Sequence, residues 1–132
     1  MKFDTHLLAR LQQALPSDPE FCVKGRFFTC DFLLASGEHR FILHFRDGEL
    51  KHVLDNPHPT TAWHFAIKAS EEVWGKFLEK EPPAPFHDVW AAAWLGHMVL
   101  EGDMKVFMQN YYAVWRTLGL VRELANVSST AA

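Results

Sequence analysis

The sequence has little cysteine, no excess of basic charge and no long apolar run, and each shortage excludes a class of protein. Its two cysteines, Cys22 and Cys30, are too few for a disulfide framework and lie outside any Cys-x-x-Cys or Cys/His metal pattern, so we expect buried or half-buried thiols. Thirteen Lys and Arg against sixteen Asp and Glu give a formal net charge of −3, which leaves no broad positive surface for a phosphate backbone. We expect neither a nucleic-acid partner nor a metal site.

Signals for catalysis and for targeting are also missing. The sequence has no Gly-x-Ser-x-Gly elbow, no phosphate-binding glycine loop and no His-Glu-x-x-His zinc helix. No segment approaches the ~20 apolar residues of a membrane span, and residues 1–6 lack the apolar run of a signal peptide. We therefore expect a single cytoplasmic domain over residues 1–132, with no cofactor.

Aromatic side chains are abundant. Eleven Phe, five Trp and two Tyr make the chain 14% aromatic. Two interpretations are open: the rings pack together as an aromatic core, or some of them line a space that another molecule occupies.

Two turn dipeptides, Ser36-Gly37 and Asp47-Gly48, predict a three-stranded meander. If each dipeptide is a two-residue hairpin loop, both turns place the same residues on one apolar face. The predicted pairs are Phe45 with Leu50, Leu43 with His52, Phe41 with Leu54, Leu34 with His39, and Phe32 with Phe41. The opposite, polar face carries Thr29, Asp31, Arg40, His44, Arg46, Glu49 and Lys51. Because His44 and His52 fall on opposite faces, they cannot share a metal ion.

Helices and further strands surround this meander. Apolar spacing predicts a helix over residues 3–15, a strand in which Trp63, Phe65 and Ile67 share the apolar face, and a helix capped by Ser70. Helical spacing recurs over residues 86–94.

The segment over residues 95–104 combines a strand, a reversal and a helix start. Gly96 and Gly102 bracket the strand, and Asp103 can accept hydrogen bonds from the free amides of the next helix. That helix is predicted over residues 103–118, with an apolar stripe at helical spacing.

Three segments resemble one family, the type-two sterol carrier protein lipid-binding domain. FILHFRDGEL (41–50) is similar to its strand, Asp-Gly turn and strand. WHFAIKASEEVW (63–74) is similar to its strand that runs directly into an acid-rich helix start, and LGHMVLEGDM (95–104) to its glycine-bracketed strand and helix. The resemblance covers about residues 21–124.

The resemblance implies an α/β (α+β) domain with a curved, mainly antiparallel five-stranded sheet covered by about five helices. It implies an apolar tunnel between sheet and helices that holds a lipid, a fatty acyl group or a sterol or other fused-ring compound. The chain would act as carrier or presenter of that ligand, and the resemblance implies no reaction.

Candidate ligand-binding residues follow, and plain core packing is the alternative for each. The tunnel floor would be formed by Phe32, Phe41, Leu43, Phe45, Trp63, Phe65 and Ile67. The roof would be formed by Trp74, Phe77, Trp90, Trp94, Met104, Met108 and Tyr111. Flexible thioethers favour Met104 and Met108 as pocket residues. His52 would be a polar group in the apolar wall.

Two other functions stay open at this point. A small cofactor-free enzyme, an isomerase, cyclase or hydratase, would use the same cavity with His52 as its acid-base group. An accessory subunit would present its aromatic side chains to a larger enzyme. Transient membrane contact, and a homodimer through the last helix, are further open possibilities.

Overall fold

The computed structural model describes residues 3–127, so residues 1–2 and 128–132 of the predicted domain lie outside the described residues. The helices are α1 (Thr5–Ala14), α2 (Pro19–Lys24), α3 (Glu71–Phe77), α4 (Val89–Trp94), α5 (Met104–Gln109) and α6 (Tyr111–Ala125), with a 3-10 turn at Leu15–Ser17. The strands are β1 (Cys30–Ser36), β2 (His39–Arg46), β3 (Glu49–Asp55), β4 (Phe65–Ala69) and β5 (Val99–Gly102).

One mixed sheet contains all five strands in the order β3-β2-β1-β4-β5. Only β1 and β4 pair in parallel, and the other neighbours are antiparallel. Along the chain, α1 and α2 precede the three-stranded meander and α3 to α6 follow it. This combination of helices and sheet confirms the predicted α/β class and the mainly antiparallel five-stranded sheet.

The first hairpin differs from the predicted register by two residues. Ser36 pairs with His39, so the loop consists of Gly37 and Glu38. Gly37 has a φ of +62°, and a two-residue turn with glycine first needs this left-handed value. Phe32 therefore pairs with Leu43 and not with Phe41. Because the shift is even, every side chain of β1 stays on its predicted face.

The second hairpin contains a β-bulge that the sequence pattern did not indicate. Asp47 and Gly48 form its loop as predicted, but the register shifts between His44 and Phe45. Leu43 then pairs with Val53, and His44 lies opposite His52 with their ring centroids 5.6 Å apart. The placement of His52 in the apolar wall is wrong, because the extra residue turns its side chain to the polar face, where it is exposed.

The core lies between the helices and the face of the sheet that carries Phe32, which we call the inner face. Stacked phenylalanine rings cross three strands there, with centroids 5.8 Å apart for Phe32 and Phe45 and 5.1 Å apart for Phe32 and Phe65. A smaller apolar cluster of Leu33, Ala35, Ile42 and Ala66 lies on the outer face.

Trp63 packs against this outer cluster, so its predicted position on the inner face is wrong. The chain bends at His64, and β4 begins only at Phe65. Alternation of side chains holds within a strand, and Trp63 precedes the strand.

Two local predictions also need correction. The helix predicted over residues 103–118 is broken at Asn110, whose side-chain amide donates to the Val106 carbonyl, and α6 then continues to Ala125. Cys30 is buried as predicted, and burial raises the pKa of its thiol to about 12, whereas Cys22 is exposed.

Candidate functional site

The glycine-bracketed strand β5 joins α4 to α5 at one edge of the sheet. Gly96 and Gly102 both have left-handed backbone values, with φ of +84° and +92°. A Cβ atom at Gly102 would lie 2.6 Å from the His64 carbonyl oxygen, so only glycine fits there. The Asp103 carboxylate accepts hydrogen bonds from the Lys105 and Val106 amides and starts α5, as predicted.

An open apolar groove lies between α4, β5 and α5. Its larger part has a volume of about 380 Å³ and its smaller part about 150 Å³, and Trp90 lies in the wall of both. The walls are formed by Trp90, Ala93, Trp94, Met98, Val99, Leu100, Met104, Met108 and Tyr111. We call these two clefts, which share Trp90 in their walls, the apolar groove.

Five of the predicted roof residues meet at the apolar groove: Trp90, Trp94, Met104, Met108 and Tyr111. Trp90 and Trp94 lie on α4, Met104 and Met108 on α5, and Tyr111 at the start of α6. Trp90 also stacks on buried Phe107, with ring centroids 6.3 Å apart, which fixes the indole at the junction of the two clefts.

Most of the other predicted residues are packed in the core instead. Phe32, Phe41, Leu43, Phe45, Phe65, Ile67, Trp74 and Phe77 are all buried. Trp74 meets Phe3 edge to face at 4.5 Å, and its indole nitrogen donates to the Ala35 carbonyl at 2.8 Å. His52 and Trp63 lie on the outer face of the sheet, outside both the apolar groove and the inner-face core.

Large apolar side chains are exposed along the part of the chain that runs from α4 to α6. Trp94 is 80% exposed and Tyr112 is 66% exposed. Leu95, Val99, Met108 and Trp115 are also exposed, and we call these six residues the aromatic rim. An exposed apolar patch of this kind marks a surface that takes up another apolar surface or molecule.

A second cavity, of about 540 Å³, lies beside α6, and we call it the amphipathic pocket. It is lined by Phe77, His87, Asp88, Val89, Tyr111, Trp115, Arg116, Leu118, Gly119, Arg122 and Glu123. Tyr111 belongs to the wall of this pocket and to the wall of the apolar groove.

Hydrogen bonds between distant segments shape the amphipathic pocket. The Tyr111 hydroxyl donates to the Asp88 carboxylate at 2.5 Å, and burial together with this bond raises the pKa of Tyr111 above its ordinary range. Arg122 donates to the carbonyls of Phe77, Phe86 and His87, and burial lowers its pKa.

Sequence reasoning identified only the edge of this pocket, through Tyr111 and Phe77. The signal that could have found it is the spacing of Tyr111, Trp115, Leu118 and Arg122, which places these residues along one side of a helix.

A polar cluster occupies the outer face of the sheet. Asp31 accepts hydrogen bonds from His44 at 2.6 Å and from both terminal nitrogens of Arg46 at 3.1 and 3.2 Å. Burial opposes ionisation of Asp31, but the bonds from Arg46 and His44 outweigh it and lower the pKa. Within residues 3–127, no group of three or more His, Cys, Asp or Glu side chains could hold a metal ion.

The part of the chain that the structure describes contains no helix with the length and hydropathy needed to cross a bilayer.

Comparison with known proteins gives matches in structure but not in sequence. No family model matches the chain, and no curated protein is significantly similar to it. The crystal structure of sterol carrier protein 2 matches with a TM-score of 0.72 and 15% identity, over 89% of this chain and 95% of that chain. A conserved hypothetical protein from Thermus thermophilus, described as possibly a sterol carrier protein, matches with a TM-score of 0.74 and 14% identity, over 98% of this chain and 94% of that one.

A third structure, the solution structure of palmitated SCP2L2 from Aedes aegypti, matches with a TM-score of 0.53 and 13% identity, over 96% of each chain. The chain has the fold of sterol carrier protein 2.

Proposed function

We propose that the chain binds a hydrophobic small molecule in the apolar groove and acts as its carrier or presenter. The observation that carries this proposal is the chemistry of the groove: every wall residue from Trp90 to Tyr111 is apolar or aromatic. Such walls suit a lipid, a fatty acyl chain or a fused-ring compound. Met104 and Met108 can adjust their rotamers to ligands of different shape.

Burial of apolar surface supplies the binding energy. A ligand that removes roughly 500 Å² of combined apolar surface from water gains about 12 kcal/mol at ~25 cal/mol per Å². The cost of immobilising the ligand reduces this gain, so we expect a dissociation constant on the order of micromolar.

The structural matches support a carrier. Sterol carrier protein 2 has the same fold, and the Aedes aegypti protein with this fold has been solved in a palmitated form. The alternative enzyme, with His52 as acid-base group in the cavity wall, loses its support because His52 lies on the outer face of the sheet.

Titration with N-phenylnaphthylamine, an uncharged fluorescent probe, tests the proposal. We expect micromolar binding, and Ala93→Phe should weaken it by about tenfold or more because the new ring fills the larger cleft. His52→Ala is the matched control and should bind the probe as well as the wild type does. Native mass spectrometry of the purified chain should also detect a bound apolar molecule.

Two results would overturn the proposal. One is the absence of probe binding together with the absence of any co-purified apolar molecule. The other is an Ala93→Phe variant that folds normally and binds the probe with unchanged affinity. Co-purification of a stable protein partner that covers the groove would instead favour the accessory-subunit function.

We further propose that the aromatic rim contacts an anionic phospholipid bilayer when the ligand enters or leaves. Trp and Tyr side chains favour the interface between headgroups and acyl chains. Two cations lie near rim residues: the Lys24 ammonium is 5.0 Å from the Tyr112 ring, and Lys105 is exposed on α5, three positions before Met108. Cationic side chains next to exposed aromatic rings match the surface of such a bilayer.

A further inference from the structure

We propose that the amphipathic pocket binds the uncharged, oxygen-bearing end of the ligand, a hydroxyl or carbonyl group, while the apolar body of the same molecule lies in the apolar groove. This inference rests on the proposed function. Tyr111 connects the two cavities structurally, because its side chain lies in the wall of each.

The pocket is shaped to admit a ligand end. Its floor is apolar, because it is formed by the buried side chains of Phe77, Val89 and Leu118. Gly119 on α6 leaves open space above this floor: a Cβ atom there would have the end of the Arg116 side chain, 3.9 Å away, as its nearest neighbour. A ligand end that enters this pocket therefore meets an apolar base and polar sides.

The charges that line the pocket cancel. Two cations, Arg116 and Arg122, face two anions, Asp88 and Glu123. Arg116 is already paired with three carboxylates, those of Asp18, Glu20 and Glu123. A carboxylate or phosphate would gain no net attraction here and would approach Asp88 and Glu123 at close range, so charge balance favours an uncharged group.

Hydrogen-bonding capacity remains on both sides of the pocket. Arg122 uses its Nε and one terminal nitrogen on three backbone carbonyls, and within residues 3–127 it forms no ion pair and no bond through the other terminal nitrogen. The N–H groups of this other terminal nitrogen can donate to a ligand oxygen. Asp88 accepts one bond from Tyr111 and has further lone pairs for a ligand hydroxyl.

A hydroxyl group matches this arrangement best, since it can accept from Arg122 and donate to Asp88. A carbonyl group can use only the Arg122 donor. The pocket thus distinguishes ligands that have the same apolar body by the chemistry of their end group.

Displacement of N-phenylnaphthylamine by three ligands of equal chain length tests the inference: hexadecanol, methyl palmitate and palmitic acid. At pH 8, where the acid is ionised, we expect hexadecanol to compete best and palmitic acid about tenfold less well. Gly119→Leu fills the pocket and should weaken the binding of hexadecanol by about tenfold, while the affinity for the probe itself stays unchanged. Gly119→Ala controls for the change in helix propensity and should lose less than about twofold.

The outcomes separate this inference from the proposed function. If the probe does not bind the wild-type chain, the proposed function itself fails. If the probe binds but hexadecanol competes equally in the wild type and in Gly119→Leu, the apolar groove stands and the end-group site is wrong. Stronger competition by palmitic acid than by hexadecanol would likewise overturn the uncharged class.

Discussion

The Tyr111 hydroxyl donates a 2.5 Å hydrogen bond to the Asp88 carboxylate and so connects the start of α6 to the residue that precedes α4. Asp88 occupies the N-cap position of α4, yet its side chain makes no capping bond and serves Tyr111 instead. The bond therefore holds together two helices that each contribute wall residues to the apolar groove and to the amphipathic pocket.

Tyr111→Phe should lower the free energy of unfolding by about 1–2 kcal/mol, because the half-buried Asp88 carboxylate loses its donor. Thermal unfolding followed by circular dichroism measures the change. Tyr112→Phe is the matched control: Tyr112 is largely exposed, and its substitution should shift the midpoint by less than about a degree. Equal loss in the two variants would show that the Tyr111 bond does not hold α4 against α6.

Gly102→Ala should destabilise the fold by about 3 kcal/mol or more, because strain at φ +92° adds to a 2.6 Å approach to the His64 carbonyl. Gly96→Ala is a matched comparison. Its φ of +84° gives the same kind of strain, but nothing lies within 4 Å of the added methyl group, so about 1 kcal/mol should be lost. Urea denaturation of both variants measures the difference, and equal losses would contradict the importance of the His64 contact.

The parts of the fold that were predictable from sequence depend on local chemistry. Gly96 and Gly102 favour tight turns and Asp103 caps a helix through bonds to adjacent residues, so these features do not depend on distant contacts. The Asp47-Gly48 dipeptide likewise determines the loop of its hairpin. The helix α2 is not among the predicted elements, although Asp18 caps it and Pro19 occupies its first turn.

The parts that were not predictable depend on contacts between distant segments. The bulge that moves His52 to the outer face arises from the pairing of β2 with β3, and no turn residue marks it. The polar side of the amphipathic pocket joins Asp88 to Tyr111, 23 residues further on, and a periodic pattern in either helix does not contain that pair. Aromatic periodicity identified the groove residues and the core residues alike, because both present apolar stripes.

Asp18→Asn should lower the free energy of unfolding at pH 7 by about 2 kcal/mol while it keeps an N-cap for α2. The hydrogen bond from Arg116 holds the pKa of Asp18 below its ordinary value, and both side chains are mostly buried. The contribution of Asp18 is then complete above the pKa of the unfolded chain and is lost as the pH falls through the lower folded pKa.

Urea denaturation between pH 7 and pH 2.5 tests this pH dependence. The difference in stability between the wild type and Asp18→Asn should be constant from pH 7 to about pH 5 and should shrink below about pH 4. A difference that grows as the pH falls would contradict the assigned direction of the pKa shift.

Trp94→Ser should weaken binding of the chain to vesicles of phosphatidylcholine and phosphatidylserine by about tenfold, because the indole is 80% exposed at the edge of the aromatic rim. Vesicle sedimentation measures the bound fraction, and Lys105→Glu should reduce binding only when phosphatidylserine is present. His52→Ser is the control, because His52 is exposed on the outer face of the sheet, away from the aromatic rim; this variant should bind vesicles as the wild type does. Unchanged binding in Trp94→Ser would contradict the rim as the contact surface, and a dimer in light scattering that Trp94→Ser dissolves would assign the rim to a second copy of the chain.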